Sequence, residues 1–260
     1  MLPRPLLDLA DRFAPAGLML RLRAWRSRSR GDNPELALLP RLSAGGGFID
    51  VGANIGDYTR VAALHYPYVD AFEPIPELAA KLRRELPGHV TIHQLAAADV
   101  MGEAVLRIPY NSAGEVTGLA SLNHIVGDAG MRVVTVQTRP LDALALRRPD
   151  AIKIDVEGFE EAVLRGAERL INTHRPAMII EIEDRQHPGR TLDVFRQLWA
   201  AGFRAHELQG ETLVERGPHS PHWAGVAQDQ ALVNRRADGS FINNFIFLHP
   251  EGNGRALRAW

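Results

Sequence analysis

The stretch Phe48-Ile49-Asp50-Val51-Gly52-Ala53-Asn54-Ile55-Gly56-Asp57-Tyr58-Thr59 decides the fold. A short apolar run leads into an acid, two glycines follow four residues apart, and the segment after them is able to start a helix. This is the pattern of the first strand and first turn of a nucleotide-binding α/β sheet. Gly52 lets the backbone turn tightly, and Gly56 lets strand, helix and ligand approach with no Cβ between them.

What the turn lacks narrows the ligand. A dinucleotide fingerprint needs G-x-G-x-x-G, and Ala53 and Asn54 occupy the place of its central glycine. A P-loop needs Gly-Lys-Ser/Thr, and Gly56 is followed by Asp57. Carboxylates beside the turn, Asp50 and Asp57, would repel a pyrophosphate and suit a positively charged ligand. S-adenosylmethionine carries an ammonium and a sulfonium but no phosphate, and it fits. Val69-Asp70-Ala71-Phe72-Glu73-Pro74 reads as a second strand ending in an acid, 23 residues after Asp50. At the tip of strand two a carboxylate is placed to grip a ribose diol.

The chain has 260 residues, 45% of them hydrophobic, enough to bury the core of one large domain with additions. A formal net charge of −1 makes no overall case for nucleic acid or an anionic membrane. The absence of cysteine excludes disulfides, thiolate zinc sites, iron–sulfur clusters and a cysteine nucleophile. No apolar run approaches the ~18 residues of a membrane span, and a cytoplasmic location is the expectation.

Residues 1–42 stand apart as a helical, basic N-terminal extension, with residues 43–260 forming the main domain. Residues 1–30 carry seven arginines against two acids. An arm for RNA or lipid headgroups is the sharper reading; a helical cap or a homodimer contact is preferred, because aromatics do not interleave the charges. Within the domain, a helix is expected over 57–65, strand two over 69–72, a helix over 77–86 and strand three over 90–95. Ala98 and Asp99 follow, placed to edge an adenine ring. An edge strand over 102–109, a lid-like loop over 111–124 and a strand over 132–138 come next. Asp142 is expected to cap the helix that follows it.

The second informative stretch is Ala151-Ile152-Lys153-Ile154-Asp155-Val156-Glu157-Gly158-Phe159-Glu160, a buried-strand pattern ending in acids around a glycine, then a helix over 161–170. In an open α/β sheet the ligand crevice lies at the carboxyl ends of the strands, which is where Asp155 would sit. Strand five (177–183) also ends in acids. A helix over 192–200 and strand six (203–208) follow; residues 210–240 read as irregular, with 218–223 their most site-like part. Residues 241–248 form a last strand inserted antiparallel. Alternating β and α elements with this closing hairpin give a doubly wound sheet.

Taken together, Asp50-Val51-Gly52-Ala53-Asn54-Ile55-Gly56, Phe72-Glu73-Pro74 and Ile152-Lys153-Ile154-Asp155-Val156-Glu157-Gly158-Phe159-Glu160 resemble the FkbM-type methyltransferases, class I S-adenosylmethionine enzymes that mostly O-methylate sugars and natural products. The resemblance spans about residues 45–249. It implies a mostly parallel, seven-stranded Rossmann-like sheet and a small hydroxylated acceptor, with no nucleic acid as partner. It also implies that Asp50, Gly52, Asn54, Gly56, Tyr58 and Thr59 line the methionine end of the cofactor. Glu73 and Pro74 would hold the ribose, Ala98 and Asp99 the adenine, and Asp155 would face the methyl group. Glu181 and His187 match an acid-then-histidine pattern after strand five. An aliphatic hydroxyl needs a base; His187 is the first candidate, Asp155 and Glu157 the second. Mg²⁺ held by Asp155, Glu157 and Glu181 is a weaker reading, and no metal is expected.

Overall fold

The computed structural model describes residues 16–111, 114–122, 130–186, 189–219, 223–226, 233–235, 239 and 241–257. Helix α1 (Ala16–Ser29) and the short helix α2 (Leu39–Leu42) lead into strand β1 (Gly47–Val51). Then come α3 (Asp57–Ala62), β2 (Val69–Phe72), α4 (Pro76–Glu85) and β3 (Val90–His93). Pro76 starts α4 at a position where its missing N–H costs nothing. β1, β2 and β3 are parallel neighbours.

The chain next builds a small separate sheet from β4 (Ala96–Ala97), β5 (Gly102–Asn111), β6 (Gly114–Glu115) and β7 (Met131–Arg139). The stretch expected as an edge strand is therefore paired along its length with β7 and lies outside the main sheet. Its inward residues Leu106 and Ile108 join Val136, Ile75 and Ala96 in a core of their own, which is what keeps this sheet separate.

The main sheet resumes at β8 (Pro149–Ile154), parallel to β1, followed by α5 (Glu160–Gly166), α6 (Glu168–His174) and β9 (Ala177–Glu181). The single helix expected over 161–170 is broken at Ala167. A Cβ on Gly166 would stand 1.9 Å from the carbonyl oxygen of Ala98, so the chain passes too close there for a larger residue. Asp142 does cap a helix, but not the one expected. Its carboxylate accepts from the amides of Arg169 and Leu170, in the first turn of α6, 27 and 28 residues away. After α7 (Thr191–Ala200) come β10 (Arg204–Gln209), β11 (Thr212–Glu215), α8 (Trp223–Val226) and β12 (Asn244–Leu248).

The main sheet has the order β11-β10-β12-β9-β8-β1-β2-β3. Six strands, β3, β2, β1, β8, β9 and β10, run in one direction, and β12 is inserted antiparallel between β9 and β10 as expected. β11 is an eighth strand, in a stretch read as irregular. Gly210 at φ 60° supplies the turn that closes its hairpin with β10. Trp223, in the part of that stretch read as site-like, is instead core: it packs edge-on against Phe195 and donates to the carbonyl of Gly217.

Alternation along the strands separates two cores. Ile49, Val51, Ile152, Ile154 and Ile180 face α5, α6 and α7. Phe48, Ala151, Ile179 and Ile246 face α3 and the segment around Leu36, Leu38, Leu39 and Leu42. That segment, read from sequence as part of an extension, is thus packed into the domain. The same face carries Asp50, Lys153 and Glu181 at the carboxyl ends of β1, β8 and β9.

Candidate functional site

The site starts where β1 ends. Gly52, Asn54 and Gly56 all take positive φ (85°, 47° and 86°), and the amides of Gly52 and Ala53 both donate to the carbonyl of Phe72 at the end of β2. A Cβ on Gly52 would come within 1.8 Å of the carbonyl oxygen of Asp155. The loops after β1 and β8 therefore touch, and only glycine lets them.

Glu73 closes this half. It is 3% exposed, and its carboxylate accepts from the amides of Asn54 and Ile75, each at 2.7 Å. Burial pushes its carboxyl up to about 7, with those two amides opposing. Asp50 lies behind the turn, where it accepts from the Thr59 hydroxyl, and burial pushes it up to about 6.

Across the crevice the acids are held differently. Lys153 is fully buried; its ammonium donates to Asn244 Oδ1 at 2.7 Å, lies 3.6 Å from Asp155 Oδ2 and sits 5.1 Å from the centre of the Tyr58 ring. Asp155, Glu157 and Glu181 each offer a carboxylate oxygen, all within 4.8 Å of one another. Burial, then the Asp155 charge, raise Glu157 to about 7 and push Glu181 well above the usual carboxyl range. Glu157, at φ 53°, accepts from Gln186 at 2.6 Å and pairs with Arg185 at 3.2 Å. Glu181 accepts from Asn243 at 2.9 Å.

Between the two halves opens a cleft. Val51, Gly52, Asn54, Glu73, Pro74, Ala96, Ala97, Asp155, Val156 and Glu157 line it, with apolar walls from Phe72, Ile75, Leu95 and Leu106. Thr117, Gly118, Ala120 and Leu122 cover it from the small sheet. That cover is tied to both halves: the Thr117 hydroxyl donates to Asn54 Oδ1 at 3.0 Å and the Ser121 hydroxyl to the carbonyl of Glu157 at 2.5 Å. Among the described residues, three acids and no lysine or arginine stand on the wall.

Of the residues expected from sequence, Gly52, Asn54, Glu73, Pro74, Asp155 and Glu157 are on this wall. Asp50, Gly56, Tyr58 and Thr59 lie behind it, shaping the turn and the first turn of α3. Ala98 and Asp99 are not on it: Ala98 is buried under Gly166 and Asp99 pairs with Arg165 at 2.9 Å, while Ala96 and Ala97 line the cavity. His187 lies outside the described residues. Lys153, Asn244 and Thr117 were not singled out. For Lys153 a signal existed, because a lysine inside the apolar pattern Ala-Ile-Lys-Ile must be buried and must find acids.

Residues 50–205 match the family described as Methyltransferase FkbM domain. No curated protein matches the chain. Among solved structures, the methyltransferase FkbM of Methylobacillus flagellatus KT aligns at 17% identity and TM-score 0.47, over 80% of this chain and 44% of its own. This chain thus spans less than half of that protein. The precorrin-6y C5,15-methyltransferase of Geobacter metallireducens aligns at 12% identity and TM-score 0.40, over 81% of this chain and 83% of its own. A SAM-dependent O-methyltransferase of Thermotoga maritima aligns at 15% identity and TM-score 0.38, over 84% of this chain and 63% of its own.

Proposed function

The chain belongs to the FkbM methyltransferase family, and from that premise we propose that it moves the methyl group of S-adenosylmethionine to a hydroxyl on a sugar or natural-product small molecule. The observation that carries this reading is the cavity wall, which among the described residues holds Glu73, Asp155 and Glu157 and no basic side chain, at the carboxyl ends of β1, β2 and β8. Such a wall disfavours phosphates and favours a cationic nucleoside. When bound, the cofactor supplies an electrophilic methyl group on a sulfonium. The remaining work belongs to the chain.

In this proposal Glu73 takes the ribose hydroxyls on the lone pairs its amide partners leave free. Gly52 and Asn54 leave room for the methionine end. The adenine lies against Ala96 and Ala97, shifted from the neighbouring Ala98 and Asp99. Asp155 faces the reacting end. The acceptor must lie in line with the methyl group, which is chiefly a matter of positioning, and the Thr117–Leu122 cover excludes water from that line. A base then takes the hydroxyl proton. Glu157, raised to about 7, titrates where a base is effective; His187 is the other candidate. Lys153 and Arg185 already set positive charge against Asp155 and Glu157, so the acid trio needs no metal for compensation.

Calorimetry with S-adenosylhomocysteine, with and without Mg²⁺, tests the reading. Micromolar binding that ignores Mg²⁺ is expected. Absence of binding would overturn it in favour of a non-catalytic module, and Mg²⁺-dependent binding would restore the metal. With a turned-over acceptor in hand, Glu157→Gln and His187→Ala separate the two bases: loss of the base lowers turnover on the order of 10²–10⁴-fold and leaves cofactor affinity unchanged.

A further inference from the structure

Helix α1 is apolar on two opposite sides. Met19, Leu20 and Ala24 are buried against the domain, and Ser27 donates to Asp57 at 2.6 Å on that same side. The other side presents Leu18, 50% exposed, half-buried Leu22 and Trp25, 61% exposed, spaced to form one stripe along the helix. A helix with a second apolar face has a second partner. Arginines flank this stripe on both sides: Arg21 and Arg28 along one edge, Arg26 along the other. The arginines that lean toward the domain are neutralised, Arg23 by Glu85 at 3.1 Å and Arg30 by Asp57. Arg21, Arg26 and Arg28 have no acid partner among the described residues, and α1 itself contains no acid.

We propose that this face of α1 seats the protein on an anionic lipid surface. A leucine–tryptophan stripe bordered by arginines is the chemistry of a helix lying in the headgroup region, with the apolar stripe inserted and the guanidinium groups on the phosphates. Charge decides against a second copy as the occupant. Pairing this face with itself would bring three uncompensated arginines of each protomer against those of the other. No described helix is long and apolar enough to cross a membrane, so the contact is peripheral. The seat also orients the enzyme. Ser27 and Arg30, at the end of α1, hold Asp57, the residue immediately after the glycine turn, so the surface lies on the side of the domain where that turn meets α3.

The test is co-sedimentation of the full chain with phosphatidylcholine vesicles and with an equimolar mixture of phosphatidylcholine and phosphatidylglycerol. Binding to the mixture is expected, at least tenfold weaker to the neutral vesicles and weakened by salt. Each of Arg21→Gln, Arg26→Gln and Arg28→Gln lowers the affinity roughly fivefold. Leu18→Ser with Trp25→Ser removes it more than tenfold, while the melting transition stays in place because both side chains face solvent. Failure to bind either vesicle overturns the proposal. So does wild-type binding by the Leu18→Ser, Trp25→Ser variant, or a concentration-dependent dimer in sedimentation that this variant abolishes while vesicles have no effect.

Discussion

The two walls of the cavity are built from the same residue type and held by opposite means. On the β1–β2 wall, Glu73 is fixed by backbone amides, which cannot lose their protons or move away. On the β8 wall, Asp155 and Glu157, with Glu181 beside them, are held by side chains: Lys153, Arg185, Gln186 and Asn243. A wall fixed by backbone is a rigid template, suited to a part of the ligand that does not react. A wall of coupled titratable groups around one buried ammonium is suited to the reacting end, where charge changes. In the proposed function, recognition falls to the first wall and proton handling to the second.

The most severe break is Lys153→Met. Removing one partner of a buried charge cluster leaves the others uncompensated, and a loss of about 3–5 kcal/mol is expected in denaturant unfolding. A variant as stable as the wild type would show that the acids are protonated or hydrated and do not depend on Lys153. Gly52→Ala breaks the other wall. With φ at 85° and the Asp155 carbonyl 1.8 Å from the new Cβ, it should cost about 3 kcal/mol or more in stability and weaken cofactor binding with it.

Acidity sharpens the comparison. Asp50 near 6 and Glu73 and Glu157 near 7 are all raised from ordinary carboxyl values of 3.8 to 4.5. The folded chain therefore keeps protons that the unfolded chain has already released, and folding stability falls as pH rises from about 4.5 through 7. For Glu73 alone the effect is on the order of 3 kcal/mol. The ligand-free protein should melt highest near pH 5 and lower at pH 8, with a steeper fall in Lys153→Met. A melting temperature that rises over this range would contradict the raised values. The mildest change is Glu73→Ala, which should weaken S-adenosylhomocysteine binding by about 1–3 kcal/mol while the fold survives. Unchanged affinity would remove the ribose role.

Some disagreements between sequence and structure share one cause. Asp142 was read as a cap for the helix after it, since capping is ordinarily local; here α6 is brought to it by the packing of Gly166 against Ala98. Asp99 was read beside the cavity after strand three, but it pairs with Arg165 away from the wall, and Ala96 and Ala97 of the two-residue strand β4 line the cavity. The strand expected at 102–109 exists, yet strand propensity says nothing about which sheet it joins.

The sequence by itself determined the glycine turn, the parallel core strands, the antiparallel insertion of β12 and the acids at the strand ends. Those features follow from backbone sterics and from the period of apolar residues, and both are local. Only the tertiary structure decided that Lys153 meets Asn244 across 91 residues, that Thr117 ties its loop to Asn54, and that one face of α1 has no partner among the described residues. Each depends on strand order and on how elements far apart in the chain pack together, and no local pattern encodes either.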